Sequence, residues 1–220
     1  MCWSSDASLS FFVIGMVICS WLLLRNGAYD RMFGLFFIWV IGMQLLEYLI
    51  WLDQDCDGNL NNIACQIAWF QNLMQPIIGG ILVIVYIYSQ KPKPIIPLPL
   101  FILILLGYVI WFISWIFMEK PYKDKMCAKP CQGCEHNLQW PWIENYDSSI
   151  WVGYFIAFST MVIASFKNKG GRVLSSYLLI TCLIAICFLP LIKSIGSWWC
   201  VFAVGGPVLK TMIPLSYFKN

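Results

Sequence analysis

Gln44, Glu47, Gln71, Asn72 and Gln75 invite a chemical reading first, because each interrupts an otherwise apolar stretch. A carboxylate in such a setting can hold a proton or a cation, and amides beside it can complete the coordination or bind a small polar ligand. Gln44 precedes Glu47 by three residues, which puts both on one helical face; Gln71 and Gln75 are four apart and Asn72 and Gln75 three apart, which makes an amide ridge. Counted from the expected outer helix ends, Glu47 is about one to two turns in and Gln71 to Gln75 about two to three turns in, so they are expected to meet in the outer half of a bilayer. The same residues also admit a packing role. Amide hydrogen bonds between membrane helices are worth about 0.6 to 2 kcal/mol each, and a Glu enclosed by amides can simply stay protonated.

The second concentration of chemistry is sulfur. Of the ten cysteines, Cys2, Cys56, Cys65, Cys127, Cys131, Cys134 and Cys200 are expected at or near one face, whereas Cys19, Cys182 and Cys187 lie inside apolar runs and pack as small hydrophobes. That asymmetry points to disulfides in an oxidising compartment, with a bridge from the Cys56/Cys65 region to the Cys-rich loop as the first pairing to test. Seven is odd, so at least one thiol stays free or pairs between chains. Cys127, Cys131, Cys134 and the single histidine, His136, also offer three thiolates and an imidazole for tetrahedral zinc, although structural zinc sites usually draw on two separated knuckles. Free thiols in a reducing compartment are the third alternative.

Catalytic constellations mostly fail. One histidine cannot build a multi-histidine zinc site, and there is no Gly-x-Ser-x-Gly, P-loop or dinucleotide fingerprint. Cys134 and His136 as nucleophile and base fit an exposed Cys-rich loop poorly. A non-enzymatic role without a cofactor is therefore the expectation.

The elements that position these residues follow from composition. The chain has 220 residues, of which 60% are hydrophobic and only 11% charged, and its net charge is +3. Its mean hydropathy is +0.73. Those values exclude a water-soluble globular domain, a disordered tail and a nucleic-acid binder, since no basic block tracks a phosphate backbone. A spanning helix needs about 20 mostly apolar residues. Seven stretches qualify: Leu9 to Leu24, Met32 to Leu52, Ile63 to Ser89, Leu98 to Met118, Ser149 to Phe166, Leu174 to Ile192 and Ser197 to Pro214. The expected fold is thus an all-α membrane protein, a single domain over residues 1–220, with seven transmembrane helices and one sizeable, Cys-rich outer loop over residues 119–148. The third span is long enough to tilt or to extend beyond the membrane, and the seventh is interrupted by Gly205, Gly206, Pro207 and Lys210.

Orientation follows from the Lys and Arg positions. Arg25 and Arg31, Lys91 and Lys93, and Lys167, Lys169 and Arg172 fall in the first, third and fifth connections. The N-terminus is therefore expected outside and the C-terminus in the cytosol. Lys210, about a turn from the cytosolic boundary, is expected to snorkel to that interface rather than to hold a retinal-type ligand. Trp residues near the boundaries suit an aromatic belt. His136 with Leu138, Gln139, Trp140, Pro141 and Trp142 could instead form a lid over an outer cavity. Gly79-Gly80 and Gly205-Gly206 are expected where helices pack closely.

Met1-Cys2-Trp3-Ser4 followed by Ala7-Ser8, then Gln44-x-x-Glu47-x-x-x-Trp51, Gln75-Pro76, His136-x-Leu138-Gln139-Trp140 and Gly196-Ser197-Trp198-Trp199-Cys200 occur in that order. The chain in this respect resembles an uncharacterised family of multispanning membrane proteins from bacteria, algae and large DNA viruses that begin Met-Cys-Trp/Phe-Ser. The resemblance covers most of the chain and implies a seven-span protein. It points to Cys2, Glu47, Gln75, His136 and Cys200 without assigning their job.

The leading functional expectation is a multi-pass integral membrane protein with an outward-facing polar pocket lined by Gln44, Glu47, Gln71, Asn72 and Gln75, with His136 in the loop that caps it. It would serve a small polar ligand or cation as transporter, channel or receptor-like protein. The alternatives are a structural membrane protein stiffened by outer disulfides, and a thiol- or metal-dependent membrane oxidoreductase. The lipid bilayer is the expected partner, nucleic acid is not, and self-association stays open.

Overall fold

The computed structural model describes residues 4–27, 29–90, 96–119, 125–130, 138–141, 149–164, 169–188 and 195–218. These form α1 (Ser5–Arg25), α2 (Asp30–Trp51), α3 (Leu60–Leu73), α4 (Gln75–Gln90), α5 (Leu98–Glu119), β1 (Lys129–Pro130), β2 (Leu138–Gln139), α6 (Ser149–Ala164), α7 (Lys169–Phe188), α8 (Ile195–Met212) and a 3-10 turn at Leu215–Phe218. The described fold is all-α apart from one antiparallel two-stranded ribbon, in which Lys129 faces Gln139 and Pro130 faces Leu138.

Helix ends follow local chemistry. Ser4 caps α1 by accepting from the Ala7 N–H at 3.2 Å, and Asp6 in the first turn complements the helix dipole. The helix stops at Asn26, whose left-handed backbone (φ 51°) is a conformation Asn adopts more readily than most residues. A second left-handed residue, Tyr29, completes a tight reversal, and α2 runs back along α1.

Among the described residues, three helices are long and apolar enough to cross a membrane: Ser5–Arg25, Asp30–Trp51 and Leu98–Met118. A fourth candidate is the pair α3 and α4, which passes the same test together but is bent by 43°. The stretch expected as one third helix, Ile63 to Ser89, is therefore corrected to two helices joined at a bend. The break falls where Pro76, lacking an N–H, cannot continue the hydrogen-bond ladder of α3.

Burial is inverted relative to a water-soluble protein. Leu24 is 80% exposed and Phe117 70%, whereas Asp30, Glu47, Gln75 and Lys210 are all at 0%. Apolar surface on this scale, distributed along whole helices, suits a lipid environment, and the polar side chains face the interior. Aromatic stacks tie the helices together. Trp69 stacks on Trp115 between α3 and α5, and Tyr154 stacks on Phe158, which meets Phe36 of α2. Close helix approach is bought by glycine at Gly206, where any Cβ would run into the Phe37 ring.

Candidate functional site

Four groups of polar contacts are strung along α2 and its partners. At the first turn of α2, Asp30 is fully buried between two cations. Arg25 grips it with Nε at 2.7 Å and Nη2 at 2.8 Å, Lys210 Nζ donates to Oδ1 at 2.5 Å, and the Gly27 N–H donates to Oδ2 at 2.8 Å. Arg25 also reaches the Lys210 and Thr211 carbonyls at 3.4 Å, at the end of α8, where a cation suits the helix dipole. The cluster thereby joins the end of α1, the start of α2 and the end of α8. The snorkelling expected for Lys210 is corrected: its side chain has no exposure, because a buried carboxylate is a better partner than the interface is within reach. Sequence reasoning missed Asp30. Its signal was a lone acid in an otherwise basic connection.

Mid-way along α2, a reciprocal clasp ties α2 to α3. Trp39 Nε1 donates to the Gln71 carbonyl at 2.9 Å, while Gln71 Nε2 donates to the Trp39 carbonyl. Gly42 leaves the passage for that amide, since a Cβ there would sit 2.8 Å from Gln71 Nε2.

The break between α3 and α4 lies just beyond. In an unbroken helix the carbonyls of Gln71, Asn72 and Leu73 would accept from residues 75, 76 and 77. Here Trp39 takes over the first, and the Tyr108 hydroxyl of α5 donates to the Leu73 carbonyl at 2.8 Å. The ladder restarts when Ile78 N–H donates to the Met74 carbonyl at 2.9 Å. Gln75 opens α4 fully buried. Its Oε1 accepts from the Tyr154 hydroxyl at 2.6 Å, and its Nε2 has no hydrogen-bond partner among the described residues. A buried donor left in that state costs about 1 to 3 kcal/mol.

Gln44 and Glu47 form the third group, buried at 1% and 0% exposure on α2. The clasp sets their level. Glu47 is eight residues from Trp39 toward one end of the bundle, and Gln75 is four residues from Gln71 toward the other. At 1.5 Å per residue along the continuous α2, Glu47 lies about 12 Å from the clasp, and Gln75 lies on the clasp's other side. The structure therefore gathers Gln44 with Glu47, and places Gln71 in the clasp, Gln75 at the break and Asn72 half-buried on α3. It does not gather the five into one pocket. The cavity described between α2, α6, α7 and α8 is lined by Phe36, Phe37, Val40, Phe158, Leu178, Thr181 and Ala203, so its wall is nearly all apolar.

The fourth group docks the loop on α3. Asn61 imitates a strand partner: its Oδ1 accepts from the Ala128 N–H at 3.0 Å and its Nδ2 donates to the Ala128 carbonyl at 2.9 Å. Asn62 Oδ1 accepts from the Met126 N–H at 2.8 Å. A disulfide joins Cys56 to Cys127, the kind of bridge expected from the helix end to the loop. Cys65 does not share in it, which corrects its place among the disulfide candidates. It is a free, buried thiol one turn below Asn61, donating to Asn61 Oδ1 at 3.2 Å. Leu138 and Trp140 pack inward, at 1% and 2% exposure.

Cys2, Cys131, Cys134 and His136 lie outside the described residues, as does the Cys200 side chain, so the zinc alternative and the histidine of the lid fall there too. Among the described residues, no three His, Cys, Asp or Glu side chains group as metal ligands. No family model matches the chain, and no curated protein and no solved structure is significantly similar to it.

Proposed function

We propose that the chain is a seven-span integral membrane protein, N-terminus outside and C-terminus cytosolic, that binds a proton or a monovalent cation at the Gln44–Glu47 centre in the course of transport or gating. The observation that carries this reading is Glu47 itself, a carboxyl with 0% exposure inside a 22-residue apolar helix. An ionisable group is expensive there and is retained most often for a functional reason. The membrane assignment is supported by the exposed apolar helix faces. The orientation is supported by the disulfide, which suits an oxidising outer compartment, and by the Arg25–Lys210 cluster at the other ends of α1 and α2. In this reading the centre is closed in the present conformation, and the docked loop covers the outer end of α3. The likeness to the Met-Cys-Trp/Phe-Ser family belongs to the same proposal.

The test is carbodiimide modification of the protein in its membrane, since the reagent enters bilayers and attacks protonated carboxyls. Glu47 becomes labelled, and Glu47→Gln does not. Labelling lowered by sodium chloride but not by choline chloride identifies a cation site, and labelling indifferent to sodium identifies a proton site. An unlabelled Glu47 in folded protein would overturn the reading.

A structural role is the second reading, and one observation favours it: Gln71, expected to line a pocket, spends its amide on the clasp with Trp39. In that reading Gln44 and Glu47 also serve packing alone.

A further inference from the structure

We propose that the break between α3 and α4 is a second binding site, centred on Gln75, for a small uncharged molecule that offers a hydrogen-bond-acceptor oxygen on an aromatic or aliphatic body. The proposal stands apart from the Glu47 reading, because the Trp39–Gln71 clasp lies between the two residues and Glu47 is about 12 Å from it along α2.

The break is furnished with donors from three neighbouring helices. Trp39 of α2 satisfies the Gln71 carbonyl, Tyr108 of α5 satisfies the Leu73 carbonyl, and Tyr154 of α6 satisfies Gln75 Oε1. Against that pattern Gln75 Nε2 is the exception: fully buried, with two hydrogens to give and no acceptor among the described residues. Buried polar atoms are seldom left so, and the missing partner must accept hydrogen bonds. Interrupted helices are also where membrane bundles place ligands, since the freed backbone and its flanking side chains supply polar groups inside an apolar wall.

Charge and shape narrow the ligand class. Trp39, Gln71, Leu73, Gln75, Tyr108 and Tyr154 carry no charge, so nothing at the break compensates an ion. The neighbouring wall is aromatic: Tyr154 stacks on Phe158 at 5.7 Å, Phe158 meets Phe36 at 6.2 Å, and both phenylalanines continue into the apolar cavity with Phe37 and Val40. A neutral oxygen acceptor on an apolar body matches both surfaces. Because Gln75 has no exposure, the ligand enters when α4 and α6 part at the break, and the described conformation is the closed one.

Benzophenone is a suitable probe, since it pairs a ketone oxygen with two rings and inserts into nearby C–H bonds on irradiation. With the full-length protein in lipid nanodiscs, saturable labelling is expected on α2 and α6 peptides containing Phe36, Tyr154 or Phe158. Benzhydrol, which keeps an oxygen acceptor, competes; diphenylmethane, with the same rings and no oxygen, does not. The paired change Gln75→Met and Tyr154→Phe removes both hydrogen-bonding partners together, leaves no new orphan, and lowers labelling by about tenfold at an unchanged melting temperature. Absence of saturable labelling, equal competition by diphenylmethane, or undiminished labelling of the folded double variant would each overturn the proposal. The competition arm uses the unaltered protein, so a variant that fails to fold leaves the test intact.

Discussion

Asp30→Asn is expected to destabilise the protein by about 3 to 5 kcal/mol, the range for breaking a buried ion pair on one side only. The substitution keeps the shape of the side chain and removes its charge. Lys210, with no exposed surface, and Arg25, with a side chain 19% exposed, are then left as two cations in a low-dielectric interior without their carboxylate. The joint between α1, α2 and α8 loosens as a consequence. The measurement is thermal or denaturant unfolding in mild detergent, followed by circular dichroism. The double variant Asp30→Asn with Lys210→Met should lose less than Asp30→Asn alone, because it no longer strands the buried ammonium. Arg25→Gln should cost less than Asp30→Asn, since part of the guanidinium already sees solvent. An Asp30→Asn protein as stable as the parent would show that the cluster contributes nothing to holding the three helix ends.

Loss of the Cys56–Cys127 disulfide is the second large effect, expected at about 2 to 5 kcal/mol for a native bridge. It closes a sequence separation of 71 residues, so the reduced, unfolded chain regains much loop freedom. The folded state loses more than a covalent tie. The loop segment at residues 125–130 rests on α3 through two hydrogen bonds between Asn61 and Ala128 and one between Asn62 and Met126, and the bridge holds Ala128 in register with Asn61. Cys56→Ser should therefore lower the melting temperature and speed tryptic cleavage after the exposed Lys125. Dithiothreitol should reproduce the shift in the parent and leave Cys56→Ser unchanged. A parent whose melting temperature ignores reductant would contradict this account of the loop.

The helices were legible because long apolar runs have one economical backbone solution in lipid. The loop bridge was legible because cysteines bracketed one helix end and one loop. The ion cluster was not, since Asp30 and Lys210 are 180 residues apart and each, taken alone, resembles an ordinary boundary residue. Lys210 inside an apolar helix was half of the signal; the lone acid among basic residues near Arg25 was the other half. The break at Gln75 was masked by hydrophobicity that continues unbroken through Pro76, although proline in that position removes one ladder bond. Depth was the most misleading quantity. Counting inward from two assumed helix ends put Glu47 within about a turn of the Gln71 to Gln75 ridge, and the Trp39–Gln71 clasp places Glu47 and Gln75 on opposite sides of it.

Placement of the two chain ends tests the membrane architecture most directly, because an odd number of spans puts them on opposite sides. With one epitope tag appended at each terminus, the N-terminal tag should be reached by antibody in intact cells or sealed right-side-out vesicles, and the C-terminal tag only after permeabilisation. Both tags reached from the same side would mean an even number of crossings and would contradict the seven-span account.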